Sequence, residues 1–323
     1  MVFYSIIFFL LVIRDVISEK WKNTYLFIFM IVLVLLSTFR YETGTDWSAY
    51  YNIFCTQNFI VTNDVAFELL VRVLRYFTDS FVLYQLVTSL LVFGLLYYLL
   101  KQKPLYNGLV LYFFSVNVFF LYPTRQYIAS ILLLLFFVLG RTNNKNSLVL
   151  LAMSWHWSSV VALPFLKNKS LLILIFGSVL TIGAIIFKDK ILFYMHSYAH
   201  LDGIKFKTFS TGDLVRILIV FTYLFLRLLP RDILFLAYFV GTGLSLVLLG
   251  MPDAFSRVLF PFFILEAFIL DRILRHIVHK TGVKIIVYMG IIGLSYLRLN
   301  VSINNYYSEY GEYKWTVYCP CTQ

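Results

Sequence analysis

Apolar residues follow one another in long runs along the whole 323-residue chain. Many of these runs reach about 17 to 25 residues, the length that crosses the hydrocarbon core of a bilayer as a helix. The candidate spans are residues 2–18, 24–39, 80–100, 107–123, 127–140, 147–166, 170–187, 212–229, 232–250, 257–270 and 284–299. The polar stretches between them are short, so we predict one integral membrane domain over residues 1–323. The predicted fold class is all-α, a polytopic membrane protein with about 10 to 11 transmembrane helices.

Two segments depart from this pattern. In residues 64–77, apolar and polar side chains would fall on opposite faces of a helix. This pattern predicts an amphipathic helix that lies in the membrane interface. The first run, residues 1–13, has the apolar core of a signal peptide. It lacks a basic region before it and a small-residue cleavage site after it, so we expect it to be the first span.

The composition excludes an ordinary soluble domain and a nucleic-acid-binding protein. Hydrophobic residues make up 61% of the chain and charged residues 13%, with a mean hydropathy of +0.83. The net charge is +11, but the Lys and Arg residues are scattered among the loops. They are typical of topology signals and of attraction to anionic membrane lipid. The cysteines Cys55, Cys319 and Cys321 predict neither a metal site nor a disulfide framework, because the Cys-Pro-Cys pair has no partner pair elsewhere.

Basic residues after the first, third and fifth spans place those loops in the cytoplasm and the N-terminus outside. If every span crosses, the Lys and Arg counts on the two sides are equal, and Arg272 and Arg275 lie outside. If residues 147–166 enter and return on the same side, the later loops invert and the inside gains basic residues. We prefer this second layout, with the turn near His156, because each apolar half is about eight residues long and too short to span. Non-helical backbone at that depth predicts a cavity beside it.

The loop after the second span combines a cation, carboxylates and aromatic rings on the outer side. It begins at Arg40 and carries Gly44, Thr45, Asp46 and Tyr50. An arginine offers paired donors to phosphate oxygens, aromatic rings pack on sugar faces, and Asp46 could accept a hydroxyl proton. The alternative is structural: Arg40 would only reach from a helix end to the interface, within a belt of aromatic residues.

Two further outward arginines extend this chemistry. Arg125 and Gln126 open the fifth span after a proline, and Arg257 opens a later apolar segment. Together with Arg40, these arginines would match the charge of a diphosphate. The alternative for Arg125 is an interfacial side chain that bonds exposed carbonyls at a helix end.

His156 is the histidine inside an apolar segment, and an ionisable group in the membrane is a functional candidate by default. Its structural alternative is a hydrogen bond to a neighbouring helix. Arg216 is a weaker candidate, because Asp213 precedes it by one helical turn and would pair with it. No His or Cys at ligand spacing accompanies His156, so we predict no metal site and no cofactor.

The candidate residues fall into three short motifs. These are Arg40 followed by Gly44, Thr45, Asp46 and Tyr50; Arg125 with Gln126; and His156 with Ser158. In their order and spacing the chain resembles the EpsG-like family of polysaccharide polymerases, which includes O-antigen polymerases of the Wzy type.

The resemblance implies a GT-C-like transferase of the bacterial inner membrane whose active site faces the periplasm. It would move a growing glycan from undecaprenyl diphosphate to the non-reducing end of a lipid-linked repeat unit. Arg125, Arg40 and Arg257 would bind the diphosphate, and Asp46 or His156 would act as base or orient the acceptor. The implied partners are the undecaprenyl-diphosphate-linked oligosaccharide, membrane lipid, and a chain-length regulator and a flippase of the same pathway, but no nucleic acid.

Three other activities stay open at this point. A flippase of lipid-linked sugars should show inverted repeats, and one broken segment is not a repeat. A membrane O-acyltransferase also places a His in the membrane, but its other polar groups lie near a cytoplasmic entrance. An O-antigen ligase shares the donor but has a larger outer loop than residues 188–211.

Overall fold

The computed structural model describes residues 10, 12–13, 17–42, 47–57, 64–105, 108–116, 125–139, 145–167, 207–226, 228, 232–249, 259–278, 281–310 and 314–321. Within those residues the chain is almost entirely helical, as predicted. The helices are α1 (Glu19–Thr38), α2 (Trp47–Thr56), α3 (Val65–Phe77), α4 (Phe81–Gln102), α5 (Leu109–Val116), α6 (Arg125–Leu139), α7 (Lys145–Trp155), α8 (Thr211–Phe225), α9 (Ile233–Val247), α10 (Phe260–Phe263), α11 (Glu266–Ile277) and α12 (Thr281–Tyr310). A 3₁₀ helix, Trp157–Lys167, follows α7. Two short strands, β1 (Arg40–Tyr41) and β2 (Lys314–Trp315), pair antiparallel.

Three of the described helices are long and apolar enough to cross a bilayer: Lys20–Thr38, Phe81–Gln102 and Gly282–Asn300. All three coincide with predicted spans. Their outward faces carry large apolar side chains, such as Ile286 on α12, which is 73% exposed. Such faces are stable against lipid tails and costly against water. The chain is therefore an all-α membrane protein.

Other apolar helices are shorter than a full span. They include Arg125–Leu139, Asn146–Trp155 and Ile233–Val247. A helix of 15 residues is about 22 Å long, whereas the hydrocarbon core is roughly 30 Å thick. The predicted span 170–187 and most of the span 2–18 lie outside the described residues.

Helix α6 lies in the core of the bundle. Its residues from Ile128 to Phe137 are all buried, so no side of the helix faces lipid. A helix that is apolar on every side is stable only when neighbouring helices surround it, and α4, α7, α9 and α10 all contact it. Because Arg125 begins this helix, the core of the bundle positions that side chain.

The predicted span 147–166 is not one helix. Helix α7 ends immediately before His156 and the 3₁₀ helix begins immediately after it, within the predicted turn. The ring of Phe165 packs edge-on against Phe137, near the C-terminal end of α6, with centroids 5.3 Å apart. Helix α7 is the next described helix after α6 and packs on it, so α7 begins near the C-terminal end of α6. The Phe165–Phe137 contact therefore brings the 3₁₀ helix back toward that end. The geometry agrees with a segment that enters and turns back.

The prediction of one helix over residues 257–270 is wrong. Helix α10 ends at Phe263, the chain turns at Ile264 and Leu265, and α11 continues past the predicted end. A methyl group on Gly241 of α9 would overlap the Phe262 side chain, so α10 packs directly on the α9 backbone. Both turn residues are fully buried, and for this reason an apolar pattern does not reveal the break.

The start of α4 marks one end of the bundle, which we call the disulfide end. There the backbone N–H of Phe81 donates to the carbonyl of Cys319 at 2.8 Å. Cys55 of α2 is bonded to Cys321 beside this contact. The β1–β2 pair lies at the same end, because β2 and these cysteines belong to one C-terminal segment.

The opposite end of α4, about 33 Å away along the helix, is the basic end, defined by Lys103, Arg272 and Arg275. Arg275 Nη2 donates to the carbonyl of Pro104 at 2.8 Å, and Arg272 forms an ion pair with Asp232 before α9. Arg272 and Arg275 therefore lie at the same end as Lys103. This agrees with the layout in which residues 147–166 turn back, and contradicts the layout in which every span crosses.

Candidate functional site

Arg40 is held by backbone pairing at the disulfide end. It lies opposite Trp315 of β2, and its carbonyl accepts a hydrogen bond of 3.1 Å from Gln85 Nε2 on α4. The residue is only 3% exposed. A side chain that merely reached the interface would keep its charged end in water, so the burial of Arg40 argues against that alternative.

Tyr50 joins α2 to the start of the core helix. Its ring packs against those of Phe67 and Tyr84, with centroid distances of 5.6 and 6.1 Å. Its hydroxyl oxygen accepts the backbone N–H of Arg125 at 3.3 Å. The first N–H groups of a helix have no partner within the helix. Tyr50 therefore caps α6 from a separate helix and fixes the position of Arg125.

Arg125 is the first residue of α6, and a carboxylate and a ring orient its guanidinium. Nη1 donates to Asp64 Oδ2 at 2.7 Å, and Cζ lies 5.5 Å from the centroid of the Phe67 ring. The side chain remains 22% exposed. The positive end of the helix dipole lies at the first turn of α6, beside the positively charged guanidinium. Both therefore favour an anion at this end of the helix.

Asp64 is the site residue that sequence reasoning missed. An aspartate directly before an amphipathic helix is typical of an N-cap, yet its side chain makes no cap bond to α3. Its carboxylate is 1% exposed and pairs with Arg125, 61 positions later in the chain. Because a cap explains such an aspartate equally well, nothing in the sequence singled it out.

Separate contacts bring both arginines to the first turn of α4. Tyr84 in that turn is 1% exposed, and its ring packs on that of Tyr50, whose hydroxyl accepts the Arg125 N–H. The next residue, Gln85, donates to the Arg40 carbonyl. Arg40, Tyr50 and Arg125 thus lie around one buried ring at the disulfide end. Gln126, the next residue of α6, is partly exposed.

Four predicted site residues lie outside the described part of the chain: Gly44, Thr45, Asp46 and Arg257. Their roles stay predictions. Phe260, shortly after the last of them, packs against Tyr127 of α6 with ring centroids 4.9 Å apart. The described segment that follows Arg257 therefore lies beside the N-terminal end of α6.

His156 connects α7 to the 3₁₀ helix. Its own N–H donates to the carbonyl of Ala152 at 3.0 Å. The backbone N–H of Ser158 donates to His156 Nδ1 at 3.2 Å, and Ser158 Oγ lies 2.7 Å from the same nitrogen. Because Nδ1 accepts an N–H, the neutral ring carries its proton on Nε2. His156 is therefore better suited to donate a hydrogen bond than to accept a proton.

The prediction of no disulfide framework did not foresee a single disulfide, which the structure contains. Cys55 and Cys321 are bonded across a sequence separation of 266 residues. The C-terminal segment is docked around this bond: Tyr51 Oη donates to the carbonyl of Pro320 at 2.7 Å, and the N–H of Cys321 donates to the carbonyl of Asp79 at 3.1 Å. Three cysteines allow more than one pairing, so the sequence does not show which two are bonded. The sequence-based prediction required a second pair of cysteines and did not consider a single bond.

Cys319, two positions from the bonded Cys321, is a buried free thiol. Burial, and then the negative charge of Glu42, raise the pKa of this thiol. The thiolate is the species that attacks disulfides, and a raised pKa keeps Cys319 protonated at neutral pH. The Cys55–Cys321 pairing is therefore protected from exchange with its neighbour.

The sequence matches the profile of the EpsG family over residues 23–317. The chain belongs to the EpsG family. No curated protein and no solved structure matches it. Membership supports a membrane protein of polysaccharide biosynthesis with a glycosyltransferase-like activity. The matched range includes Arg40, Tyr50, Arg125 and His156, together with the residues that contact them.

The disulfide end of this EpsG-family protein combines positive charge with apolar aromatic surfaces. The described part of the site holds two guanidiniums, a helix N-terminus and the rings of Tyr50, Phe67 and Tyr84. Within the same described residues, no group of three or more His, Cys, Asp or Glu side chains could hold a metal ion. An anion bound here by these residues would meet fixed donors, which need no reorganisation during a reaction.

The tautomer of His156 gives a test of its role in the EpsG-family protein. A glutamine amide can replace the Nε2–H donor, whereas an asparagine amide reaches only the Nδ1 position. We therefore expect His156→Gln to keep measurable activity and His156→Asn to lose about 100-fold, the cost of removing one oriented donor. The measurement is the initial rate of glycan formation by purified protein. Equal loss in both variants would show that His156 acts as a base instead.

Proposed function

We propose that this EpsG-family protein is an O-antigen polymerase with a GT-C-like fold. It transfers a growing glycan from undecaprenyl diphosphate to the hydroxyl at the non-reducing end of a lipid-linked repeat unit. The observation that carries the proposal is that hydrogen bonds and ring packing hold Arg40 and Arg125 beside the first turn of α4. This turn lies at one end of the membrane bundle of a protein from a polysaccharide-biosynthesis family. A lipid diphosphate presents its charge at the membrane surface, where paired guanidiniums can bind it.

In the proposed reaction the bond between the sugar anomeric carbon and the diphosphate oxygen breaks. The acceptor oxygen forms the new glycosidic bond, its proton passes to a base, and undecaprenyl diphosphate leaves. Negative charge develops on the leaving oxygen, so Arg125 and Arg40 act where that charge appears. Asp46 is the proposed base, and His156 Nε2–H orients the acceptor sugar. Tyr50, Gln126, Gly44, Thr45 and Arg257 complete the proposed substrate contacts.

We propose that the disulfide end faces the periplasm. Disulfides persist in oxidising compartments and are rare in the cytosol, which supports an outer location for the Cys55–Cys321 bond. Lys and Arg in short loops favour the cytoplasmic side, which supports an inner location for the basic end. The two signals are independent and agree with one orientation. They also separate this site from that of an O-acyltransferase with a cytoplasmic entrance.

Cysteine labelling in intact cells tests this orientation. In a Cys319→Ala background, Lys314→Cys should react with a membrane-impermeant maleimide added outside, because the Lys314 side chain is 58% exposed at the disulfide end. Lys103→Cys, exposed at the basic end, should react only after the membrane is permeabilised. The unsubstituted Cys319→Ala protein is the control for background labelling. Reaction of position 103 in intact cells would reverse the orientation.

Deletion of the gene in its source bacterium tests the function. A polymerase loss should convert the ladder of lipopolysaccharide bands into a single band with one repeat unit. A flippase loss would instead remove surface repeat units altogether, and a ligase loss would leave polymer that is not joined to the lipopolysaccharide core. An unchanged ladder would refute the proposal.

A further inference from the structure

The basic end contains a cavity of about 330 Å³. Four segments of the chain form it: the residues directly after α4, the last turn of α6, the first turn of α9 and the middle of α11. Cavities that hold small ligands begin at roughly 300 Å³. The cavity lies at the opposite end of α4 from Arg40 and Arg125, so it is separate from the candidate site at the disulfide end.

Apolar side chains form one part of the cavity wall. Leu105, Leu234 and Phe268 are buried in the protein, and Val138 of α6 is half-buried beside them. Covering such a wall removes apolar surface from water, which stabilises a bound apolar group. A small inorganic ion would gain nothing from this part of the cavity.

Charged side chains form the other part of the wall. Arg275 Nε donates to Asp271 Oδ2 at 2.7 Å, so both partners of this ion pair line the cavity. Arg272 pairs through Nη1 with Asp232, the residue before α9. A guanidinium has five N–H donors, and the Arg272 side chain is 40% exposed. Arg272 can therefore donate to a second anion while it keeps its pair with Asp232.

Lys103 adds a cation at the edge of the membrane. It is the C-cap residue of α4, directly after an apolar helix of 22 residues, and its side chain is exposed. Among the residues that the structure describes, no carboxylate forms an ion pair with Lys103. A lysine at the end of a membrane-spanning helix places its amine at the level of the lipid headgroups. The cavity therefore presents a positive charge at headgroup level.

We propose that this cavity binds the headgroup of an anionic phospholipid. The lipid phosphate receives directed hydrogen bonds from Arg272 and favourable charge from Lys103. The glycerol and the first acyl carbons cover the wall formed by Leu105, Val138 and Phe268, and the rest of the chains stay in the bilayer. Basic pockets between membrane helices bind anionic headgroups in this way. Lipid binding here is independent of the polymerase reaction at the disulfide end.

A lipid phosphate fits both parts of the wall, whereas a free phosphate ester fits only the charged part. The bound lipid would also contact the ends of four separate segments, those of α4, α6, α9 and α11. A ligand that binds only the folded state raises the free energy of unfolding. The lipid should therefore raise the thermal midpoint of the protein.

Titration of phosphatidylglycerol onto the full-length protein in detergent, followed by native mass spectrometry, tests the site. Wild-type protein should bind this lipid more tightly than phosphatidylcholine. Lys103→Gln should weaken the binding of phosphatidylglycerol by about fivefold, the effect of one cation near a membrane surface. Lys101→Gln is the matched control, because it removes the same charge from the last turn of α4 and Lys101 does not line the cavity.

Two further variants separate directed contacts from net charge. Asp232→Asn with Arg272→Gln removes an ion pair without a change of net charge, and asparagine can still cap α9. This double variant should also weaken phosphatidylglycerol by about fivefold or more, because the guanidinium donors are lost. Val138→Phe fills the apolar part of the cavity and keeps every charge, so it should weaken the same lipid. Val283→Phe, on the exposed face of α12, is its control.

Equal binding of the two lipids by wild-type protein would overturn the site, as would unchanged affinity for phosphatidylglycerol in both Lys103→Gln and the double variant. Glycerol 1-phosphate distinguishes the two sources of phosphate. If it displaces the lipid at concentrations close to the lipid's own, the occupant is a soluble phosphate ester and the lipid assignment is wrong. Phosphatidylglycerol should raise the thermal midpoint of wild type by more than that of Lys103→Gln, and an equal rise in both would also contradict the site.

Discussion

Replacing Arg125 by alanine is expected to abolish long glycan chains and leave single repeat units on the cell surface. The reason is the loss of a guanidinium that Asp64 and Tyr50 fix at the start of the core helix. Removing one oriented donor from a charge-stabilising site costs about 100-fold to 1,000-fold in rate. Arg125→Lys should restore only part of the polymer, because lysine keeps the charge and loses the paired geometry. Gel analysis of lipopolysaccharide measures both.

The alanine variant also leaves Asp64 buried without its cation, which costs about 3 to 5 kcal/mol. The double variant Asp64→Asn with Arg125→Gln removes both charges together, so it separates misfolding from lost binding. Arg75→Ala is the matched control: Arg75 also pairs with an aspartate, its Cζ lies 5.6 Å from a phenylalanine ring, and its side chain is 17% exposed. Normal polymer from a stable Arg125→Ala protein would exclude the diphosphate role.

Breaking the Cys55–Cys321 bond is expected to lower stability and shorten the glycan together. The bond closes a loop of 266 residues and fastens the segment whose Trp315 pairs with Arg40. Loss of a disulfide typically costs about 2 to 4 kcal/mol. In Cys321→Ser the β2 strand loses this anchor, so Arg40 loses a fixed backbone position. The measurements are the thermal midpoint of the purified protein and the length of the lipopolysaccharide ladder.

Cys319→Ala serves as the control for that variant, since it removes a cysteine from the same segment and leaves the bond intact. It should keep the ladder and most of the stability. Cells that lack thiol oxidation should reproduce the Cys321→Ser phenotype. A full ladder from Cys321→Ser, with an unchanged thermal midpoint, would show that the C-terminal segment does not position the site.

The helical membrane fold was predictable because a bilayer allows few solutions. Long apolar runs require helices whose backbone bonds are internal, and the break at His156 follows from two apolar halves that are too short to span. The break at Ile264 and Leu265 was not predictable, because both residues are apolar and buried and nothing in their local pattern differs from a continuous helix. Contacts between separate helices leave no trace in local hydrophobicity.

The candidate site was predictable where residue chemistry is unusual for its location and unpredictable where it looks ordinary. Arg40 and Arg125 are cations at the ends of apolar runs, so they stood out. Asp64 looked like an N-cap. Its partner, Arg125, comes from a distant part of the chain. The Cys55–Cys321 bond has the same character, because only the fold brings its ends together.

Synthesis by the purified protein tests the central claim most directly. The full-length protein in nanodiscs would be incubated with undecaprenyl-diphosphate-linked repeat units, with and without a chelator, and the products separated by mass. We expect a ladder of lipid-linked oligomers and one released undecaprenyl diphosphate for each bond formed, with a rate that falls about 100-fold or more in Arg125→Ala. Products that never exceed one repeat unit, from stable wild-type protein, would contradict the proposed polymerase.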